Sequence, residues 1–192
     1  MPSSKGHPVF VEPNNRDAMI WRYMDFTKYV AFLESSSLYF ARADRLEDPF
    51  EGSYSRPNVE MRPTVFKNWG IPDDVADMVA RSNKRFRHWT YVNCWHMNEH
   101  ESAAMWKLYA TSGHAVAIKS SFARLCEVLP GQTFVGLVHY IDYQKEWMPE
   151  GNMLLPFMCK RLSFKHEQDV RGLIQGHPEG AGEEAWKGPN PE

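Results

Sequence analysis

No stretch of the 192-residue chain is apolar enough to cross a bilayer, since the longest hydrophobic runs are a few residues, as in Ala115-Val116-Ala117-Ile118. Cysteine is scarce: Cys94, Cys126 and Cys159 are odd in number, far apart and in no CxxC pair, which excludes a disulfide framework and a structural zinc knuckle. The first residues, MPSSKGHPVFVEPNN, lack a charged region followed by an apolar one, so they form no secretory signal. A cytoplasmic protein without a membrane partner is expected. Neither sign of charge dominates. The 22 Lys and Arg against 24 Asp and Glu give a net charge of −2, which excludes a global basic field for nucleic acid and leaves a local basic groove open. The chain has no GxGxxG, Walker A, GxSxG or kinase signature, so Rossmann dehydrogenases, P-loop NTPases and typical serine hydrolases are poor candidates. What is present is an ordinary globular composition, 43% hydrophobic and 24% charged. No low-complexity stretch separates two halves, and one domain is expected.

Residues 1–18, with Pro2, Pro8 and Pro13, read as an extended arm over the body and outside the core. Residues 19–175 read as one α+β domain, and 176–192 as a Gly/Pro/Glu-rich tail of loop or disorder. Ile20 to Met24 is a strand candidate, Asp25 an N-cap for a helix over Phe26 to Glu34, and Leu38 to Arg42 a second strand. Residues 53–72 are punctuated by proline and read as irregular. Asp73 to His88 reads as a helix with acids at its start and basic residues at its end, a basic end that is also a candidate anion-binding patch. Thr90 to Trp95 is a strand, Ser102 to Thr111 a helix closed by Gly113, and Ala115 to Lys119 a strand. A short helix over Phe122 to Leu129, a strand over Phe134 to Tyr143, a helix over Leu154 to Ser163 and a strand over Glu167 to Ile174 complete the body.

His96-Met97-Asn98-Glu99-His100 matches the HxxEH pattern of inverted zincins. Zinc binding there needs both histidines on one helix, whereas His96 follows a strand-like run and Asn98 with Glu101 reads as a capping box, so no metal is assigned to it. Met105, Trp106, Leu108 and Tyr109 fall on one helix face suited to a core. Tyr109, near the helix end, is also placed to line a pocket with its hydroxyl. Glu167, Asp169 and Arg171 alternate, so a strand presents all three on one face, as solvated edge charges or as a carboxylate site tuned by an arginine. The acid-rich loop from Asp44 to Glu51 is a self-capping turn or a ligand loop.

Four segments together resemble the bacterial family called domain of unknown function 2971. They are Trp21-Arg22-Tyr23 before a helix; Leu38 to Asp44 leading into Glu47-Asp48-Pro49-Phe50-Glu51-Gly52; Cys94-Trp95 leading to Met105-Trp106-Lys107-Leu108-Tyr109 and Gly113; and Lys160 to Arg171. The resemblance covers about residues 20–175. Members of that family continue with a further strand and helix where this chain has its tail, so the resemblance implies a member shortened at its C-terminus. A more distant likeness, in arrangement only, is to ADP-ribosyltransferases, in which an Arg on a first strand holds NAD and a Glu on a late strand completes the site; Arg22 and Glu167 stand in that order. The run of strands and helices leads us to expect a mixed or mainly antiparallel sheet of about five or six strands with surrounding helices. With the residue readings above, the resemblances give Glu167 and Tyr109 as candidate catalytic residues, and Arg22, Tyr23, Arg42, Asp48, Glu51, Trp95, Trp106 and Arg171 as candidate substrate-binding ones. NAD is the implied substrate and no cofactor is firmly implied; the acceptor is a macromolecule, in a toxin or phage-defence setting. A non-catalytic domain binding a nucleotide or nucleic-acid end and a metal-dependent hydrolase stay open as alternatives.

Overall fold

The computed structural model describes residues 6–110 and 113–176. In chain order the elements are β1 (Met19–Asp25), α1 (Phe26–Ser35), β2 (Ala41–Arg42), α2 (Arg56–Asn68), α3 (Asp73–Phe86), β3 (Thr90–Met97), α4 (Ala103–Tyr109) and β4 (Ala115–Ser121). There follow α5 (Phe122–Val128), β5 (Phe134–Leu137), β6 (His139–Ile141), β7 (Cys159–Arg161) and β8 (Asp169–Gln175), with 3-10 turns at Ala43–Arg45, Leu155–Met158 and Leu162–Glu167. Helices with a mostly antiparallel sheet give the expected α+β class. Residues 1–5 of the arm and 177–192 of the tail lie outside the described residues. Among the described residues no helix is long and apolar enough to cross a membrane. Contacts gather the chain into two units, one from residues 6–40, 92–138 and 164–174, the other from 41–91, 139–163 and 175–176.

In the first unit the strands run in the order β4-β1-β3-β8-β5. Strand β1 is antiparallel to β4 along its whole length, from Met19↔Ser121 to Asp25↔Ala115. Side chains alternate across a sheet, so Ile20 and Arg22 share a face with Ser120 and Ile118, while Trp21 and Tyr23 share the other with Lys119 and Ala117. On the Ile20 face Trp95, Phe122, Leu125, Leu129, Val135 and Val170 form the core. Helix α1 starts where expected because the Asp25 carboxylate accepts from the Lys28 amide at 2.8 Å.

The arm departs from its sequence reading. Val9 and Phe10 are buried, and the Phe10 ring stacks on Phe134 at 4.8 Å between centroids. The Leu137 amide donates to the Val11 carbonyl at 2.8 Å. The apolar triplet Val9-Phe10-Val11 thus covers β5, and the prolines around it keep it extended rather than excluding it from the core.

In the second unit β6 and β7 form a parallel pair, His139↔Cys159 to Ile141↔Arg161. Here two expectations fail. Residues 56–68, read as irregular, are helix α2: Pro57 sits in its first turn, where the missing N–H costs nothing, and only Pro63 is interior. The helix is held by a buried stripe spaced one turn apart, the polar Asn58 and Arg62 followed by Phe66. Asn58 Nδ2 donates to the Met148 carbonyl at 2.7 Å and its Oδ1 accepts from the Met148 amide at 2.8 Å. Arg62 Nε lies 3.0 Å from both Glu150 oxygens, and that pair has side chains only 9% and 3% exposed. Burial, with the Glu150 charge, pushes the Tyr54 hydroxyl up to about 12. The expected helix over 154–163 is instead a 3-10 turn, strand β7 and part of a second 3-10 turn, because pairing with β6 claims Cys159 to Arg161.

A Cβ on Gly136 would stand 2.8 Å from Phe10 Cα and 3.0 Å from its carbonyl carbon, backbone atoms that cannot rotate away. Gly136→Ala is expected to lose about 1–3 kcal/mol in urea denaturation; unchanged stability would mean that the arm is not held there. Glu150→Ala strands the buried Arg62 and is expected to cost about 3–5 kcal/mol, whereas the double replacement Arg62→Met with Glu150→Leu recovers most of it. Equal losses in the two proteins would refute the ion pair as the cause.

Candidate functional site

The pairing of β1 with β3 is short: it comprises Ile20↔Met97 and Trp21↔His96 and then ends. The Asn98 amide donates to the Met19 carbonyl at 3.1 Å, so Asn98, His96 and Cys94 turn their main-chain polar groups towards β1. A continued ladder would bring the Tyr23 amide to the Cys94 carbonyl. Instead, Arg22 Nη1 donates to that carbonyl at 3.3 Å, and Nη2 donates to the Tyr39 carbonyl at 3.1 Å. The guanidinium carbon lies 5.9 Å from the centre of the Trp95 ring. Asn93 fixes this corner, donating to the same Tyr39 carbonyl at 2.7 Å and accepting from Trp95 Nε1 at 2.6 Å. Burial lowers the Arg22 pKa, partly offset by Cys94 and Tyr109.

The other face of the same strands carries the aromatic group. Tyr23 meets Trp106 edge to face at 5.0 Å and stacks on Tyr109 at 6.4 Å and 21°. The Tyr23 hydroxyl accepts from the Ser102 amide at 2.7 Å, and Trp106 Nε1 donates to Glu101 at 2.9 Å. Ser102, not Asn98, is therefore the N-cap of α4, its hydroxyl accepting from the Met105 amide at 3.4 Å, and the expected Asn98 capping box does not form. Met105 is buried, while Leu108 and Tyr109 are exposed at 51% and 41%. The core reading thus holds for Met105, whereas Leu108 and Tyr109 are presented outward.

His96 is the last buried residue of β3, with His100 beyond the strand, so the two are not on one helix. His96 Nδ1 lies 2.6 Å from the Glu167 carbonyl, and because a carbonyl only accepts, Nδ1 carries the proton. That contact places the Glu167 main chain on the Tyr23 side of the sheet, whereas the Arg22 side chain takes the Trp95 side. Glu167 is not on a strand: it ends a 3-10 turn, and Gln168 follows at φ 43°, so the expected alternation of Glu167 with Asp169 and Arg171 is broken before β8 begins. Nor are Asp169 and Arg171 solvated edge charges. They are 4% and 1% exposed, on a strand between β3 and β5, and their side chains pair at 3.6 Å. Their environment makes Arg171 a structural cation rather than a substrate contact.

In the second unit Arg42, Asp48 and Glu51 also have partners. Arg42 Nε donates to Asp44 at 2.6 Å and Arg42 Nη2 to its second oxygen at 3.1 Å. Burial pushes the Asp44 carboxyl up, but Arg42 and His88 outweigh it and hold the group below its ordinary range. Arg161 grips Asp48 with two bonds of 3.1 and 2.9 Å, and its guanidinium covers the Phe50 ring at 4.7 Å. The buried Glu51 and Lys160 stand 3.5 Å apart. Asp48 also accepts from the Phe50 amide at 3.0 Å, so the loop is the self-capping turn, closed by ion pairs. Gly52 follows at φ 71°, where a Cβ would collide with the Phe157 ring.

Of the sequence-predicted residues, Arg22, Tyr23, Trp95, Trp106 and Tyr109 gather around the parting of β1 and β3. Asn93, Tyr39 and Ser102 were not singled out, and a polar Asn inside an otherwise apolar strand was the one legible signal among them. Comparison with protein-family models, with curated proteins and with solved structures yields no match. Burial pushes the Cys126 thiol up to about 11, which makes it unreactive at neutral pH.

Proposed function

We propose that the first unit binds an anionic nucleotide, with Arg22 as the group that holds its phosphate. One observation carries this reading: the half-buried guanidinium is held by two carbonyls and has no carboxylate within ion-pair distance among the described residues. A charge taken from water without a counter-ion is unfavourable, and a phosphate would supply both the opposite charge and the acceptors that a guanidinium fork matches. A cytoplasmic location, where nucleotides are abundant, accords with this reading, and membership of the family of unknown function 2971 belongs to the same proposal. Calorimetric titration with ADP and NAD is expected to show one site, weakened at least about thirtyfold in Arg22→Ala and less in Arg22→Lys. Absence of binding to the unaltered protein overturns the reading.

A second reading, ADP-ribosyl transfer from NAD to a macromolecule, would place NAD on the Tyr23 and Tyr109 side, where the His96 contact keeps the Glu167 main chain, and would take no contact from Arg22, whose side chain lies on the Trp95 side. A carboxylate there would stabilise the oxocarbenium-like state as the nicotinamide bond breaks. Under this reading Glu167→Gln lowers nicotinamide release about a hundredfold or more with NAD affinity and melting temperature unchanged. Release at the unaltered rate, or none from the original protein, leaves binding as the function.

A further inference from the structure

The Arg22 face of the first unit also carries a cleft of about 590 Å³. Its floor is Phe40, Trp95, Ile118, Leu125, Leu129 and Ile174. At the mouth stand Ser36, Ser37, Arg124 and Val128, the last of these 56% exposed. The volume falls within the range of small-molecule sites. Its chemistry is narrow. Among the described residues no Asn, Gln, Asp, Glu, His, Tyr or Thr lines it, so the edge of a nucleobase would find only serine hydroxyls and arginine there. The one polar atom of Trp95 is engaged by Asn93, which leaves the indole as hydrocarbon surface. Arg124 is shared with Glu127 at 3.0 Å, both well exposed. The side chain of Lys119 points to the opposite face, over the Trp21 ring at 5.1 Å, so it adds no charge to the cleft.

Arg22 does not itself line the cleft but neighbours several residues that do. Ile118 is the β4 partner of Arg22, Trp95 lies under its guanidinium, and the Tyr39 carbonyl that Arg22 holds falls between Leu38 and Phe40, both of which line the cleft. An apolar chamber beside a cation without a carboxylate matches a ligand with an anionic group and a hydrocarbon tail. We propose that the cleft takes the aliphatic chain of an acylated nucleotide whose phosphate Arg22 holds. The ligand class is thus a nucleotide carrier bearing a medium or long acyl group, and the inference rests on the nucleotide reading above.

Coenzyme A and its acetyl, octanoyl and dodecanoyl thioesters, titrated into the full chain by calorimetry below their micelle concentrations, test this by holding the nucleotide constant and varying the tail. A buried methylene is worth up to roughly fourfold in affinity, so octanoyl should bind at least about a hundredfold more tightly than acetyl. Val128→Trp, which fills the mouth from an exposed position, should abolish the dependence on chain length and leave coenzyme A itself unaffected. Ser37→Trp provides the same block from another element should the first variant melt early. Arg22→Ala should weaken all four ligands by a common factor. Affinity independent of chain length, or a dependence that survives both blocks, overturns the acyl cleft while leaving the nucleotide reading intact. Failure of both coenzyme A and ADP to bind overturns the nucleotide reading and with it the acylated-nucleotide assignment.

Discussion

The first unit turns on a hydrogen bond that its sheet does not make. Past Trp21 and His96 the β1 and β3 ladder stops, and the carbonyl of Cys94 is satisfied by the Arg22 guanidinium rather than by a main-chain amide. A buried carbonyl must find a donor, so the side chain that supplies one is fixed in place by the sheet itself. The same substitution of side chain for ladder sets the rest of the corner. Tyr39 is drawn in by two donors, Asn93 orients the Trp95 indole, and the Tyr23 hydroxyl receives the amide that begins α4. A cation held by neutral carbonyls keeps its net charge, so the corner that repairs the sheet also carries a positive charge.

Both units match buried cations to carboxylates. In the second, Arg62 with Glu150, Lys160 with Glu51 and Arg161 with Asp48 each match a cation to a carboxylate. Such pairs contribute geometry more than net stability: the desolvation of both ions offsets much of their attraction, and the fork of Arg161 on Asp48 sets the course of the loop. In the first, Asp169 and Arg171 are matched in the middle of the sheet, while Arg22 is held by the Cys94 and Tyr39 carbonyls and has no carboxylate partner among the described residues.

Much of the fold was legible wherever burial follows apolar periodicity. Strands β1 and β3 and helix α5 follow the expected segments because Ile20, Val92, Trp95, Phe122 and Leu125 mark their inward faces, and β4, α1, α3 and α4 fall close to their expected places as well. The failures share a cause: the inward face was polar, or it was made by a distant partner. Helix α2 turns Asn58 and Arg62 inward, so its pattern reads as loop, and its prolines reinforce that impression. Strands β6 and β7 exist through pairing with each other across the intervening chain. Asp169 and Arg171 alternate like surface charges, and only the position of β8 between β3 and β5 buries them. At the site, residue identities were more readable than their directions. Tyr23 and Tyr109 stack on one face of the sheet while Arg22 turns to the other, and a single turn at Gln168 removes Glu167 from the strand on which its alignment with Asp169 depended.

Each unit is stitched from separated stretches of chain, and the seams alternate along the sequence. A ribosome therefore delivers parts of both before either is whole. The sheet of the first unit waits for residues 164–174, which bring the strand between β3 and β5, so a nascent chain carries β1, β3, β4 and β5 with a gap where Asp169 and Arg171 belong. Loop closure over such separations is slow, and the apolar faces awaiting β8 stay open to other chains for that interval. Neither unit can be cut out as a continuous fragment, so the protein is made, and must be studied, as one piece.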